Sequence, residues 1–350
     1  MVPLMPQMTS SPQEVLSQVV SRLAPDCVCV LCDTQTAVHC LPLVRGALGE
    51  QTIVITLPEG ESHKTLDSVA RVWRALHDCG ATRHSLLINL GGGVVTDLGG
   101  FAAATYKRGM RFVHIPTTLL AMVDASVGGK TGFDFDGLKN QIGVFCDAAA
   151  VIVSPVFLRT LPAPYLMAGY AEMLKHGLLS SREQWSALLS GVDVDFSTPA
   201  FLDSLAENIG IKQQYVTLDP RDQGRRKALN LGHTVAHALE ALLLDRGTPC
   251  QHGHAVAWGL VAALYISHAT LGFSCDVLRL TTRFVREHYA PLPIGCNDYD
   301  ALIAFMRHDK KNVGQDIAFT LLRDFADVVV HQVVTPALIA EALDFMRDAG

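Results

Sequence analysis

The chain predicts an α/β N-terminal domain with a Rossmann-like, mostly parallel sheet, followed by a mainly α-helical C-terminal domain. Three observations carry this reading. The first 150 residues alternate short apolar runs with helical patterns, and strands alternating with helices argue for an open parallel sheet. After about Pro155, strand-like runs become scarce and helical segments follow one another. The length of 350 residues fits roughly two domains of about 150 residues each. The predicted strands are 28–31, 52–57, 85–90, 112–115 and 149–153, with helices at 66–78 and 95–106 between them. The helices expected beyond them are 164–179, 182–190, 199–217, 226–244, 252–271, 276–288, 298–307 and 335–348, with a small hairpin at 317–322 and 328–334. The expected domains are 1–155 and 156–350, with a closed cleft between them as the place for chemistry, and 1–11 reads as a loose tail.

Composition excludes several classes. A net charge of −6 without a basic stripe argues against nucleic acid as the main partner, although local Lys and Arg clusters can hold a small anion. No uninterrupted apolar run reaches the length of a membrane span, and the N-terminus lacks the pattern of a signal peptide. The nine cysteines show no paired framework. Cys27, Cys29 and Cys32 resemble a metal motif at first sight, but they sit in a buried-strand pattern and read as reduced core cysteines. The expectation is a cytoplasmic protein, bound to neither membrane nor nucleic acid.

Several N-terminal motifs carry chemistry. Leu90-Gly91-Gly92-Gly93-Val94-Val95-Thr96-Asp97 follows a predicted strand and opens a helix. Such a turn lets backbone approach a pyrophosphate at a helix N-terminus. It also fits a simple tight turn, because Thr96 stands at the third glycine of the fingerprint. Asp33 ends the first predicted strand and Glu61-Ser62-His63-Lys64 follows the second, and the carboxyl ends of parallel strands are where such sheets bind ligands. Gly128-Gly129-Lys130-Thr131 is no P-loop, since Asp124 stands where that motif needs glycine. Asp124, Lys130, Lys139 and Asn140 interrupt a glycine-rich apolar stretch and suit an anionic substrate.

The second half holds two histidine clusters, Asn230-Leu231-Gly232-His233-Thr234-Val235-Ala236-His237 and His252-Gly253-His254, with Glu172 and Lys175 upstream. One Glu and two separated His can close three corners of a metal site and leave the fourth open. On a helix over 226–240, Arg226, Asn230, His233 and His237 would share one face. Thr234 follows His233 where a zinc peptidase needs glutamate, which excludes that class. Glu172 and Lys175 also fit a surface ion pair of little worth. His308-Asp309-Lys310-Lys311-Asn312 reads by itself as a solvated helix end.

Together, GGGVVTD, YKRGMRFVHIPTTLLAMVDASVGGKT, LKNQIG, GYAEMLKHG, RKALNLGHTVAHALE, HGHAVA and DKKN resemble, in order and spacing, the 3-dehydroquinate synthases of the sugar phosphate cyclase family. The resemblance runs from about Asp33 to Asn312. It implies bound NAD+ and a catalytic divalent metal, Zn2+ or alternatively Co2+, held by Glu172, His233 and His252 in the C-terminal domain. The implied NAD+ contacts are Asp33, Glu61, Lys64, Gly93, Val94, Asp97, Thr117, Thr118, Lys130, Lys139, Phe157, Thr160 and Leu161, largely in the N-terminal domain. The implied substrate residues are Asp124, Lys130, Asn140, Lys175, Lys212, Arg226, Asn230, His237 and one of Lys310 or Lys311. Arg108 would reach the phosphate site of the neighbouring subunit in a homodimer.

The implied substrate is 3-deoxy-D-arabino-heptulosonate 7-phosphate, a phosphorylated sugar acid, and the implied product is 3-dehydroquinate of the shikimate pathway to aromatic amino acids. The implied reaction is a carbon–oxygen lyase reaction: transient oxidation by NAD+, phosphate elimination, reduction and intramolecular aldol closure. Arg226 would grip the carboxylate, and Lys130 with Lys310 or Lys311 the phosphate. Lys175, His237 or water would relay the proton. Three positions depart from the family pattern: Thr96 for glycine, His254 for the glutamate of H-G-E, and Asp222 for glutamate. His254 is thereby an alternative ligand, with His252 preferred. The competing readings are another sugar phosphate cyclase making a cyclitol, a metal-dependent polyol dehydrogenase, and a non-catalytic binding protein on the same fold.

Overall fold

In a computed structural model that describes residues 5–136, 138–192, 195, 198–307 and 316–349, the chain divides into two units. One is Met1–Pro162 with Asp195–Gln213, and the other is Ala163–Val194 with Gln214–Gly350. Lys310 and Lys311 lie outside the described residues.

Among the described residues, the first unit is built on six parallel strands: β1 (Gln7–Met8), β2 (Val28–Asp33), β3 (Ile53–Leu57), β4 (Leu86–Gly91), β5 (Arg111–Pro116) and β8 (Ala150–Val153). Their order is β1-β8-β5-β4-β2-β3. Two further strands, β6 (Lys130–Phe135) and β7 (Leu138–Phe145), form an antiparallel hairpin. The helices are α1 (Pro12–Leu23), α2 (Thr34–His39), α3 (Leu66–Asp78) and α4 (Gly93–Thr105), with α7 (Pro199–Leu218) contributing through Gln213. All six residues of β4 are buried, as expected of a central parallel strand covered on both faces. Amphipathic α3 turns Val69, Val72 and Leu76 inward, at i, i+3 and i+7. The strands stay parallel, but β3 is added on one side of β2 and β4 on the other, so the crevice beyond Asp33 and Gly91 is the switch point where such sheets take ligands.

The five expected strands are present, each within about two residues of its predicted bounds. Part of the expected tail is ordered instead: Gln7 and Met8 pair with Ile152 and Val153. The third fingerprint glycine normally permits close helix–strand packing. Here Gly99 does that work, since a Cβ on it would sit 2.1 Å from Asn89 Oδ1. Thr96 is buried, and its hydroxyl donates to the Gly93 carbonyl at 3.0 Å.

The second unit contains α5 (Ala163–Leu178), α6 (Arg182–Ser190), α8 (His233–Asp245), α9 (His252–Leu271), α10 (Cys275–His288), α11 (Tyr299–Arg307), α12 (Pro336–Ala349) and the hairpin β9 (Ile317–Asp324) and β10 (Asp327–Val334). By length and composition α9 could cross a membrane, but 67% of its apolar window is buried within the protein, as befits a core helix. The helix expected over 226–244 is not continuous. Arg225–Asn230 is a 3-10 turn, and α8 starts only at His233, after Gly232 at φ +79°. Arg226 and Asn230 therefore do not share a helical face with His233 and His237.

The start of α9 lies against α5 so closely that a Cβ on Gly253 would fall 1.9 Å from the Ala168 carbonyl oxygen. Backbone cannot move aside as a flexible side chain would. Gly253→Ala is therefore expected to destabilise the protein by at least about 1–3 kcal/mol, read from the denaturant midpoint, and to weaken metal binding by displacing His252.

Candidate active site

Three helices of the second unit each bring one donor to a common point. Glu172 lies on α5, and His233 and His252 are the first residues of α8 and α9. Glu172 Oε1 is 3.4 Å from Nε2 of His233 and 3.4 Å from Nε2 of His252, and the three ligand atoms lie within 4.8 Å of one another. Ligands about 2.0–2.1 Å from a tetrahedral zinc stand roughly 3.3 Å apart, so these donors fit a divalent cation. Glu172 is fully buried, and its Oε1 accepts no hydrogen bond. Such a carboxylate needs a cation beside it: without metal the charged His252 stands 3.4 Å away, and a bound divalent cation would take its place.

The far side of each imidazole is also held. His233 Nδ1 faces the Leu231 carbonyl at 3.1 Å, and His252 Nδ1 faces Glu240 Oε2 at 3.2 Å. Each acceptor holds the proton on Nδ1 by a hydrogen bond, which directs the Nε2 lone pair of the neutral ring to a metal. Glu240 is buried, seven residues beyond His233 on α8. Sequence reasoning missed this role; the i, i+7 spacing puts Glu240 on the face of α8 that carries His233, but nothing in the sequence pairs it with His252. Glu240→Ala is expected to lower metal affinity about 10- to 100-fold in alkaline buffer, where His252 has given up its proton; competition with a chromophoric chelator measures this.

Lys175 stands one turn from Glu172 and ion-pairs with its Oε2. Both side chains are buried, so this is no surface pair. Burial alone would raise the Glu172 pKa, but Lys175 and His233 hold it well below the usual carboxylate range. Burial, reinforced by Lys175, pushes His233 down to about 4, leaving it neutral. For His252 burial also opposes charge, but Glu240 and Glu172 prevail and raise it to about 10. His237 is exposed, with its ring 5.4 Å from that of His233, and falls outside the donor group. His254 turns its ring edge to Tyr289 at 5.1 Å, also outside the group. Arg226 is buried and donates to the Pro220 carbonyl at 2.9 Å. Asn230 ends the preceding 3-10 turn, half-buried.

In the first unit, the expected dinucleotide residues follow the carboxyl ends of successive strands. Asp33 caps α2, with Oδ1 accepting from the backbone N–H groups of Gln35 and Thr36 at 3.0 and 2.8 Å. Lys64 is buried; it donates to Asp97 Oδ2 at 2.7 Å and Asn140 Oδ1 at 2.6 Å, with Glu61 at 3.9 Å. Burial opposes its charge, but Asp97 and Glu61 hold it above the ordinary lysine range. Asn140, expected at the substrate, is thus tied by its side chain to Lys64. Its backbone takes φ +49° while its N–H donates to Asp134 at 2.7 Å.

The N-terminus of α4 starts at Gly93, and no side chain caps it. Val94 follows in its first turn. Thr117 follows β5 with its hydroxyl oxygen buried and without a hydrogen-bond partner, while Thr118 Oγ1 accepts from Ala121 at 3.1 Å. An uncapped helix start beside a buried hydroxyl fits a pyrophosphate. Phe157 and Thr160 lie on the turn after β8, with Leu161 next to them.

Asp124 sits in a π-type turn, Ala121–Ala125, where buried Lys212 donates to its Oδ1 at 2.6 Å and its carbonyl at 2.5 Å. Lys130 and Lys139 are exposed on the β6–β7 hairpin. Arg108 is exposed on a turn where it and Lys107 both adopt left-handed backbone, at φ +66° and +49°. Such strain persists only where the surrounding structure over-determines it.

Comparison with known proteins places the chain. Residues 54–168 match the model of the 3-dehydroquinate synthase N-terminal region, and residues 169–312 that of the C-terminal region. A 3-dehydroquinate synthase from Parabacteroides distasonis is 46% identical over 336 residues, which are 95% of each chain. The fold is shared with 2-epi-5-epi-valiolone synthase from Streptomyces hygroscopicus, solved with NAD+ and Zn2+, at a TM-score of 0.85 and 24% identity over 100% of this chain and 99% of that one. It is shared too with 2-deoxy-scyllo-inosose synthase, solved with carbaglucose-6-phosphate, NAD+ and Co2+, at a TM-score of 0.83 and 22% identity over 98% and 96%. The two matched regions and the near full-length likeness establish that the chain belongs to the 3-dehydroquinate synthase family.

Proposed function

We propose that this chain converts 3-deoxy-D-arabino-heptulosonate 7-phosphate to 3-dehydroquinate and phosphate, as a carbon–oxygen lyase that returns its NAD+ unchanged each turn. The observation that carries the reading is the Glu172, His233 and His252 donor triangle with Lys175 buried beside it. When bound, NAD+ supplies a hydride acceptor and a divalent cation, Zn2+ or Co2+, acidifies the hydroxyl it coordinates.

The residues do the rest. Lys64, Asp97 and the uncapped start of α4 hold the dinucleotide, with Asp33, Glu61, Gly93, Val94, Thr117, Thr118, Lys139, Phe157, Thr160 and Leu161 around it. Lys175 keeps a positive charge next to Glu172. His237, exposed one turn beyond His233, takes the hydroxyl proton. Arg226 and Asn230 bind the substrate carboxylate, and Lys130 and Lys212 the phosphorylated end, where cationic partners suit an anion. Asp124 orients Lys212. Arg108 completes the phosphate site of a second copy of the chain in a homodimer.

The testing experiment incubates pure protein with the heptulosonate phosphate and catalytic NAD+, and follows phosphate release with and without a chelator. Release that the chelator abolishes is expected. No release with metal and NAD+ supplied overturns the proposal, and accumulation of NADH would point to a dehydrogenase instead.

A further inference from the structure

Well apart from these residues in the first unit, three thiols converge. Cys27 and Cys29 flank Val28 at the start of β2 and, two residues apart, point to the same face of the sheet. Cys79 caps the C-terminal end of α3, which packs on that face. The Sγ atoms of Cys27 and Cys29 are 4.0 Å apart, those of Cys29 and Cys79 are 3.7 Å apart, and all three lie within 4.8 Å of one another. Cys32 points to the opposite face, where its Sγ reaches Thr56, so the sequence triplet and the spatial triplet differ in one member. Cys27, Cys29 and Cys32 were expected to be ordinary reduced core cysteines, and Cys29 and Cys32 are indeed fully buried. Cys27 and Cys79 are only half-buried, which leaves the cluster an approach from solvent.

The spacing has a specific meaning. A thiolate ligand stands about 2.3 Å from a bound zinc-like cation, so three in a trigonal plane are about 4.0 Å apart and in a tetrahedral arrangement about 3.8 Å. The separations are far too long for a disulfide, which needs about 2.05 Å. The two shorter separations, which are also those of hydrogen-bonded thiols, match a metal-bridged set, and the third pair lies within 4.8 Å. Soft thiolate ligands select monovalent copper and zinc over hard cations. We infer that Cys27, Cys29 and Cys79 form a second cation site, for a thiophilic d10 ion, that clips the end of α3 to the start of β2. Burial raises the thiols of Cys27 and Cys29 above their ordinary range, so loading displaces their protons to solvent and strengthens as pH rises. Cys27 and Asp33 lie at opposite ends of β2, about 20 Å apart at roughly 3.3 Å per residue, so loading leaves the nucleotide crevice untouched.

Cadmium, titrated into the reduced protein, is the probe. The donor triangle of Glu172, His233 and His252 has no sulfur, so an ultraviolet thiolate-to-cadmium charge-transfer band reports cysteine ligation only. With the Glu172, His233 and His252 site first filled with zinc, one further equivalent, of cadmium, is expected to saturate the band and to raise the melting temperature by mass action. Cys27→Ser and Cys79→Ser are each expected to weaken that binding by at least tenfold, while Cys275→Ser, at an exposed cysteine elsewhere, leaves it unchanged. Turnover of the Cys27→Ser protein without cadmium, at the parent's level, shows that the variant is folded. Absence of the band, its survival in both serine variants, or loss of two thiols to a disulfide without metal uptake would overturn the inference.

Discussion

Glu172→Gln is expected to reduce turnover by at least about 10³-fold and to remove stoichiometric metal binding. Loss of an outer-shell partner alone typically costs 10- to 100-fold, and this change removes the charged ligand itself. The same substitution leaves Lys175 buried beside a neutral amide. Stripping one member from a buried ion pair costs about 3–5 kcal/mol, so the metal-free variant should unfold at markedly lower denaturant. Adding Lys175→Met should restore most of that stability, because replacing both partners of a buried pair is often neutral, while turnover stays lost. The two readouts separate roles: denaturation midpoints in chelator report the ion pair, and metal titration reports the ligand. Turnover within tenfold of the parent would sink the ligand assignment.

What could be read from the chain differs by level. The helix at 252–271 follows from a long apolar run and the expected strands from short ones bounded by polar residues, while the donor set Glu172, His233 and His252 follows from the resemblance of the motifs. The shared face of Arg226, Asn230, His233 and His237 assumed one unbroken helix, and Gly232 at φ +79° breaks it. That glycine was visible, but the need for it is set by α9, whose backbone leaves less than 3 Å for a Cβ there. The β6–β7 hairpin escaped because its pattern is poor: Gly132 and Gly143 face each other across it, and glycine weakens the alternation that marks a strand. Glu240 escaped for a different reason. Its partner, His252, lies on another helix, so only packing brings them together. In the same way, apolar runs reveal strands without revealing the order that sets the crevice between β2 and β4. The three-thiol cluster also needed the fold, since Cys79 is fifty residues from Cys29.

Metal affinity is expected to rise about tenfold per pH unit between roughly pH 7 and 9.5, with close to one proton released per cation. In the metal-free protein His252 is raised to about 10 from the ordinary imidazole value of 6.5, because Glu240 and Glu172 outweigh its burial. Its proton therefore stabilises the metal-free fold fully below about pH 6.5, and that contribution is lost as pH climbs through about 10. Ligation needs the neutral imidazole, so throughout the neutral range the cation competes with this proton. His233, pushed down to about 4, is already neutral there and adds no slope. Calorimetry in buffers of different ionisation enthalpy counts the proton, and chelator competition across pH gives the slope; a flat affinity from pH 7 to 9 would contradict the arrangement. Glu240 then has two opposed effects. It orients His252 for the cation, and it also holds the competing proton. The affinity deficit of Glu240→Ala should therefore be largest in alkaline buffer and shrink as pH falls, because the variant gives up its His252 proton more readily. A deficit constant across pH would mean that Glu240 orients the ring without setting its charge.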